Sequence, residues 1–75
     1  MKAQQEYLIK LAHTKMPFGK FKGTYLIDLP EHYIVWYHNK GFPKGQLGQM
    51  LGLVYELKLN GLEHLIHKIK KESSS

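Results

Sequence analysis

Apolar residues recur along this chain with two different periods. At about 100° per residue, Ala3, Tyr7, Leu8, Leu11 and Ala12 share one half of a helical wheel. Glu6, Lys10 and His13 take the other half, and Ile9 lies near the boundary. The pattern predicts an amphipathic helix over 3–14. It must end before Pro17, whose ring disfavours helical geometry at Met16. The period then shortens towards two. Tyr25, Ile27 and Leu29 alternate with Thr24, Leu26 and Asp28, although Leu26 breaks the alternation. Met16-Pro17-Phe18-Gly19-Lys20-Phe21-Lys22-Gly23 is too rich in glycine, proline and phenylalanine for a helix and well suited to a turn. Strands over 15–19 and 24–29, joined as an antiparallel β-hairpin, are the expected result. Gly23 suits a positive φ at the end of the turn. An isolated hairpin is marginal in water, so this one is expected to lie against helices.

The helical period returns at Pro30, a favourable first helical residue because its missing N–H needs no partner. Glu31 stands in the first turn, where the helix dipole favours an anion. Tyr33, Ile34, Trp36 and Tyr37 form the apolar side, and Gly41 is the expected left-handed cap. Phe42-Pro43-Lys44-Gly45 turns into the longest helix, about 44–59. There Leu47, Met50, Leu51, Val54, Tyr55 and Leu57 cover a wide arc beside a stripe of Gly45, Gly48 and Gly52. An interior helical glycine costs ~1 kcal/mol relative to alanine, so the stripe points to a close backbone approach, with mere tolerance as the bland alternative. Asn60-Gly61 ends that helix. A last helix over 62–71 places Leu62, Leu65, Ile66 and Ile69 at i, i+3, i+4 and i+7. Glu72 and the three terminal serines are expected to fray, leaving one domain over 1–72 and a disordered tail over 73–75. The fold class expected is therefore α+β: an N-terminal helix, a two-stranded antiparallel hairpin, then three helices.

Composition narrows the chemistry. The 75 residues, 43% of them hydrophobic, suffice for one small core. Without cysteine there is neither a disulfide nor a thiolate metal site. The polar start argues against a secretion signal, and no long apolar run spans a membrane, so a cytoplasmic protein is expected. The formal net charge is +5, carried entirely by lysine. Seven lysines face three acids in residues 1–44, whereas four face three in 45–75, and no acid lies between His13 and Ile27. A positive field of this kind favours nucleic acid or an acidic protein surface. Lysine without arginine suits phosphate contact better than base readout. The competing reading is that the lysines only keep a small protein soluble.

No motif completes a catalytic site. The glycines and lysines of 19–23 lack the spacing of a nucleotide-hydrolysing phosphate loop. A looser anion site is the better candidate. Lys40, Gly41, Lys44 and Gly45 lie at a helix start whose free N–H groups attract anions, and Lys20 and Lys22 join them if the hairpin lies alongside. Phe18, Phe21 and Phe42 then offer rings for stacking on bases. Against this, Phe18 and Phe42 suit a core and the lysines a solvated surface. His64 and His67 share a helix face with Glu63, but no third ligand is assured, so solvated histidines are expected and no metal. Asp28 and Glu31 flank a helix start, where carboxylates complement N–H groups more often than they catalyse. Trp36, with Tyr33 and Tyr37, suits the centre of the packing, with a ligand platform as the alternative.

Met16-Pro17-Phe18-Gly19-Lys20-Phe21-Lys22-Gly23, Leu26-Ile27-Asp28-Leu29-Pro30, Tyr33-Ile34-Val35-Trp36, Lys40-Gly41-Phe42-Pro43-Lys44-Gly45 and Leu59-Asn60-Gly61-Leu62 together resemble one family. It is the small bacterial family labelled "putative quorum-sensing-regulated virulence factor", and the likeness covers about residues 14–68. That label describes regulation and implies no catalytic residues. Residues 18–36 also resemble, more weakly, an accessory module of DnaQ-like 3′–5′ exonucleases, without the acidic metal-binding residues of the nuclease. This second likeness implies only work near nucleic acid.

The expectation is thus a non-enzymatic basic binding module without cofactor. Its leading partner is nucleic acid, contacted through Lys20, Phe21, Lys22, Lys40, Lys44 and Gly45. The alternative is a protein-interaction module using the same surface or the glycine-striped helix, with no nucleic-acid role.

Overall fold

The computed structural model describes residues 2–73, with side chains from Gln5 onward. Four helices carry the chain: α1 (Lys2–His13), α2 (Glu31–Lys40), α3 (Gln46–Leu59) and α4 (Glu63–Ser73). Between α1 and α2 lies one short 3-10 turn, Leu26–Asp28. α1 packs on α4 and α2 packs on α3, while the 3-10 turn touches α1, α3 and α4. The core consists of Leu11, Ala12, Met16, Leu26, Ile27, Leu29, Ile34, Met50, Leu51, Val54 and Ile66. The predicted face of α1 is borne out at Leu11 and Ala12, which are buried, and at Tyr7 and Leu8, which pack against the core. The side chain of Ala3 lies outside the described residues, as do Ser74 and Ser75 of the expected tail; Ser73 belongs to α4.

The expected hairpin is not present, so the fold is all-helical rather than α+β. Among the described residues there is no strand, only an isolated antiparallel bridge between Lys15 and Tyr25. The two segments do meet: the Met16 N–H donates to the Thr24 carbonyl, the Gly23 N–H to that of Met16 and the Leu26 N–H to that of Thr14. Pairing stops there for two reasons. Pro17 has no N–H to extend a ladder. On the other side the chain coils after Tyr25, with the Asp28 N–H bonded to the Tyr25 carbonyl and the Leu29 N–H to that of Leu26. A strand points only alternate side chains inward. The coil instead buries Leu26, Ile27 and Leu29 together, so the broken alternation at Leu26 marked a turn.

Glycines and prolines set the helix ends. Gly23 and Gly41 adopt the expected positive φ, 89° and 100°. The Gly41 N–H closes α2 on the carbonyls of Tyr37 and His38. Pro30 precedes α2 as its cap, and neither Asp28 nor Glu31 caps that helix with its side chain. The glycine stripe proves to be two different things. A Cβ on Gly48 would overlap the Pro43 carbonyl oxygen, so this glycine lets the 42–45 loop fold back on α3. Around Gly52 the same position is open.

Two expectations about rings reverse. Trp36 is not a core residue but is 53% exposed, and Phe18 is 45% exposed. Phe21 is the ring that packs against the core. The reason is the small share of α2 that reaches the interior: only Ile34 is buried there.

Gly48→Ala is expected to destabilise the fold by ~1–3 kcal/mol through backbone displacement, while Gly52→Ala is expected to stabilise it by ~0.5–1 kcal/mol. Denaturant titration of the two variants checks the contrast; equal effects would overturn this reading of the stripe. By the same measurement Leu26→Ala is expected to cost ~2–5 kcal/mol, and Trp36→Ala under about 1 kcal/mol because its ring is half in solvent.

Candidate functional site

Tyr33, Trp36, Tyr37 and Lys40 stand at i, i+3, i+4 and i+7, so they form one stripe along α2. The loop between α1 and the 3-10 turn lies over that stripe. Gly19 and Gly23 hold it tight with positive φ angles of 79° and 89°. Inside it the Lys22 N–H bonds to the Gly19 carbonyl and the Thr24 N–H to that of Phe21. Loop and helix together enclose an open groove of about 750 Å³, lined by Phe18, Gly19, Lys20 and Phe21 on one side and His32, Tyr33, Trp36, Tyr37, Lys40 and Gly41 on the other.

The floor of the groove is a continuous run of rings. Phe21 meets Tyr33 edge-on with centroids 4.6 Å apart. Tyr33 and Trp36 are stacked at 5.8 Å, and Tyr37 lies 5.9 Å from each of them. A lysine stands at each end. Lys20 Nζ is 5.6 Å from the Phe21 centroid, and Lys40 Nζ is 5.1 Å from the Trp36 centroid. Both distances fall within the range of cation–π attraction, which keeps the ammonium groups at the rim. Burial, and then neighbouring Tyr37, push the Tyr33 phenol above its ordinary pKa of 10.0, so it remains a neutral hydrogen-bond donor at physiological pH. No carboxylate lines the groove.

The structure therefore brings together three of the expected site residues, Lys20, Phe21 and Lys40. Lys22, Lys44 and Gly45 do not line the groove. Gly45 caps α3 with φ 90°, and Lys44 beside it is exposed. Phe42 turns away from the groove's opening to pack with Tyr37 and Tyr55. Sequence reasoning places Tyr33, Trp36 and Tyr37 on the apolar side of α2, with a ligand platform as the alternative, and Phe18 among the rings that suit either stacking or a core. The available signal was the lysine that ends their i, i+3, i+4, i+7 stripe, an unusual companion for a buried face.

The other candidates resolve into structural contacts. His67 Nε2 donates to Asp28 Oδ1 at 2.9 Å, which ties α4 to the 3-10 turn. Among the described residues no group of three or more His, Cys, Asp or Glu side chains has the geometry to hold a metal ion. His13 Nε2 lies 2.8 Å from Ser73 Oγ, which ties α1 to α4. Tyr25 lies under two ammonium groups, with Lys70 Nζ 3.1 Å and Lys15 Nζ 5.2 Å from its centroid. A smaller groove between α1 and α4 is lined by Leu8, Ile9 and Ile69 with Gln5, Glu72 and Ser73 at its edges, and has no basic group. No helix among the described residues is long and apolar enough to cross a membrane.

Comparison with known proteins agrees with the motifs. The chain is 45% identical over 69 residues to a protein of Escherichia coli K12 named "Uncharacterized protein YpeB", a match that covers 91% of this chain and 96% of the relative. The protein of the same name in Escherichia coli O157:H7 matches to the same extent. No solved structure matches the chain. The profile of one bacterial family fits residues 4–69, extending the likeness seen over 14–68 back through α1. The chain belongs to the family described as "Putative quorum-sensing-regulated virulence factor".

Proposed function

We propose that this chain is a small non-enzymatic binding module that contacts nucleic-acid phosphates through Lys20 and Lys40. The observation that carries the reading is the groove itself: two ammonium groups at opposite ends of an aromatic floor, with no carboxylate between them. A backbone of regularly spaced negative charges is the complementary ligand, and it also suits the acid-free stretch that supplies the loop. Lys22 and Lys44, both exposed, extend the positive surface outside the groove. Lysine alone supplies register and attraction rather than base identity, so the expected binding is sequence-tolerant.

A second reading is a protein-interaction module. Leu59, Leu62 and Leu65 follow one another around the corner between α3 and α4, and all three are exposed. Apolar residues gathered at one corner favour contact with a protein partner or a second copy. Sedimentation velocity at rising concentration tests self-association, which Leu62→Glu is expected to abolish; a monomer at every concentration would remove the second copy from this reading.

Titration of labelled DNA and RNA oligonucleotides at low salt is expected to show binding that weakens steeply as salt rises, with a logarithmic slope of about −0.7 per phosphate contacted on a single strand. Lys20→Glu and Lys40→Glu are each expected to weaken binding more than about fivefold, while Lys68→Glu on α4 has a smaller effect. No binding at tens of micromolar protein, or equal losses for all three variants, would overturn the proposal.

A further inference from the structure

The rings of the groove bear on which form of nucleic acid it takes. Trp36 exposes about half of its surface although it stands in a run of packed rings, and Phe18 on the facing loop is nearly as open. Aromatic surface is ordinarily buried when the fold offers a place for it. Phe21, in contrast, has its ring against the edge of Tyr33 and packs on the core, so it is part of the floor rather than a free face. Tyr33 contributes a hydroxyl that makes no hydrogen bond among the described residues, 3.9 Å from where a Cβ on Gly19 would stand.

We infer that the groove receives an unpaired, unstacked base on the Trp36 indole, so that its ligand is single-stranded nucleic acid rather than duplex. The inference rests on the phosphate-contact reading above and deepens it. In a duplex both faces of each base are covered by its neighbours, and only the two backbones and the groove edges reach a protein. In a single strand the bases splay and every base offers a π-face, so aromatic side chains beside a basic track bind it with little regard to sequence. The groove has these parts in that order. Lys20 and Lys40 stand where phosphates flanking the stacked base would pass, and Phe18 lines the loop side. The Tyr33 hydroxyl, which lines the groove without a hydrogen-bond partner among the described residues, is a donor for the edge of the base or its sugar. Charge complementarity decides against an apolar or basic occupant, because the rim is cationic and the chain carries a net +5, and the half-exposed indole beside the cations suits the π-face of a base better than an acidic side chain.

Trp36 is the only tryptophan in the chain, so its emission reports the site directly. Titration with a labelled thymidine 12-mer and with the corresponding adenine–thymine duplex, read by anisotropy and by tryptophan fluorescence together, separates this inference from its parent. The expected result is quenching of Trp36 by the single strand and an affinity for it at least about tenfold above that for the duplex. Trp36→Ala is expected to weaken single-strand binding about tenfold and duplex binding by much less, and Trp36→Phe to recover part of the loss. The unfolding temperatures of both variants serve as the folding control. Salt-dependent binding of both oligonucleotides with equal affinity and unaltered emission would overturn the inference and leave the phosphate reading standing. Absence of binding by either oligonucleotide would overturn both, as would quenching by a proline-rich peptide alone.

Discussion

The structure depends on the burial of three closely spaced apolar residues, Leu26 and Ile27 from one turn of 3-10 helix and Leu29 from its cap. Helices alone do not close this domain. α1 pairs with α4 and α2 with α3, and the turn fills the space between the pairs, touching α1, α3 and α4. Met16 joins it from the preceding loop, so among the described residues four of the eleven buried in the core come from the segment between α1 and α2. A chain of this size buries a modest fraction of its surface and has no disulfide to compensate, so little of its loop can be left out of the core. The polar ties around the turn, such as His67 to Asp28, lie at the surface, where such pairs contribute little. Apolar packing therefore supplies most of what holds the domain together.

The same constraint generates the groove. Because the turn occupies the centre, α2 is pushed to the side of the domain and contributes Ile34 alone to the buried core. Its next stripe, Tyr33, Trp36, Tyr37 and Lys40, then has only the glycine-bearing loop above it. Gly19 and Gly23 let that loop stay close without covering the rings. The loop's lysine and the helix's lysine are brought to opposite ends of one aromatic surface by packing decisions made elsewhere. Burial raises the pKa of Tyr33 at the floor while Trp36 remains open at the rim. A half-exposed tryptophan between two cations is an unfavourable way to finish a core and a reasonable way to present a π-face.

Helices and their ends were legible because their signals are local. The 3.6-residue period over α1 and α4, the positive-φ glycine after α2 and the Asn60-Gly61 stop all act through nearest neighbours on the chain. The expectation of a hairpin has the same origin. Glycines and a proline between two short apolar segments do bring those segments together, and the Lys15–Tyr25 bridge is the remnant of that pairing. Whether they become strands depends on which side chains must be buried, and Leu26 beside Ile27 demanded a coil. Half of the candidate site was visible in the same way. Lys20, Phe21 and Lys40 stand out by charge and spacing, whereas the exposure of Trp36 and Phe18 does not, since a periodic aromatic stripe reads as core whichever way it faces.

The sequence by itself determined the number and placement of the helices, the basic bias of the first half, the absence of thiol chemistry and the family to which the chain belongs. Each of these follows from composition, local period or ordered motifs. Only the tertiary structure decided that the loop coils inward, that Gly48 rather than Gly52 is sterically required, and that Trp36 stays in solvent beside Lys40. Those outcomes turn on competition for one small interior. Leu26, Ile27 and Leu29 occupy it from the turn, so the aromatic stripe of α2 is left outside with its lysine.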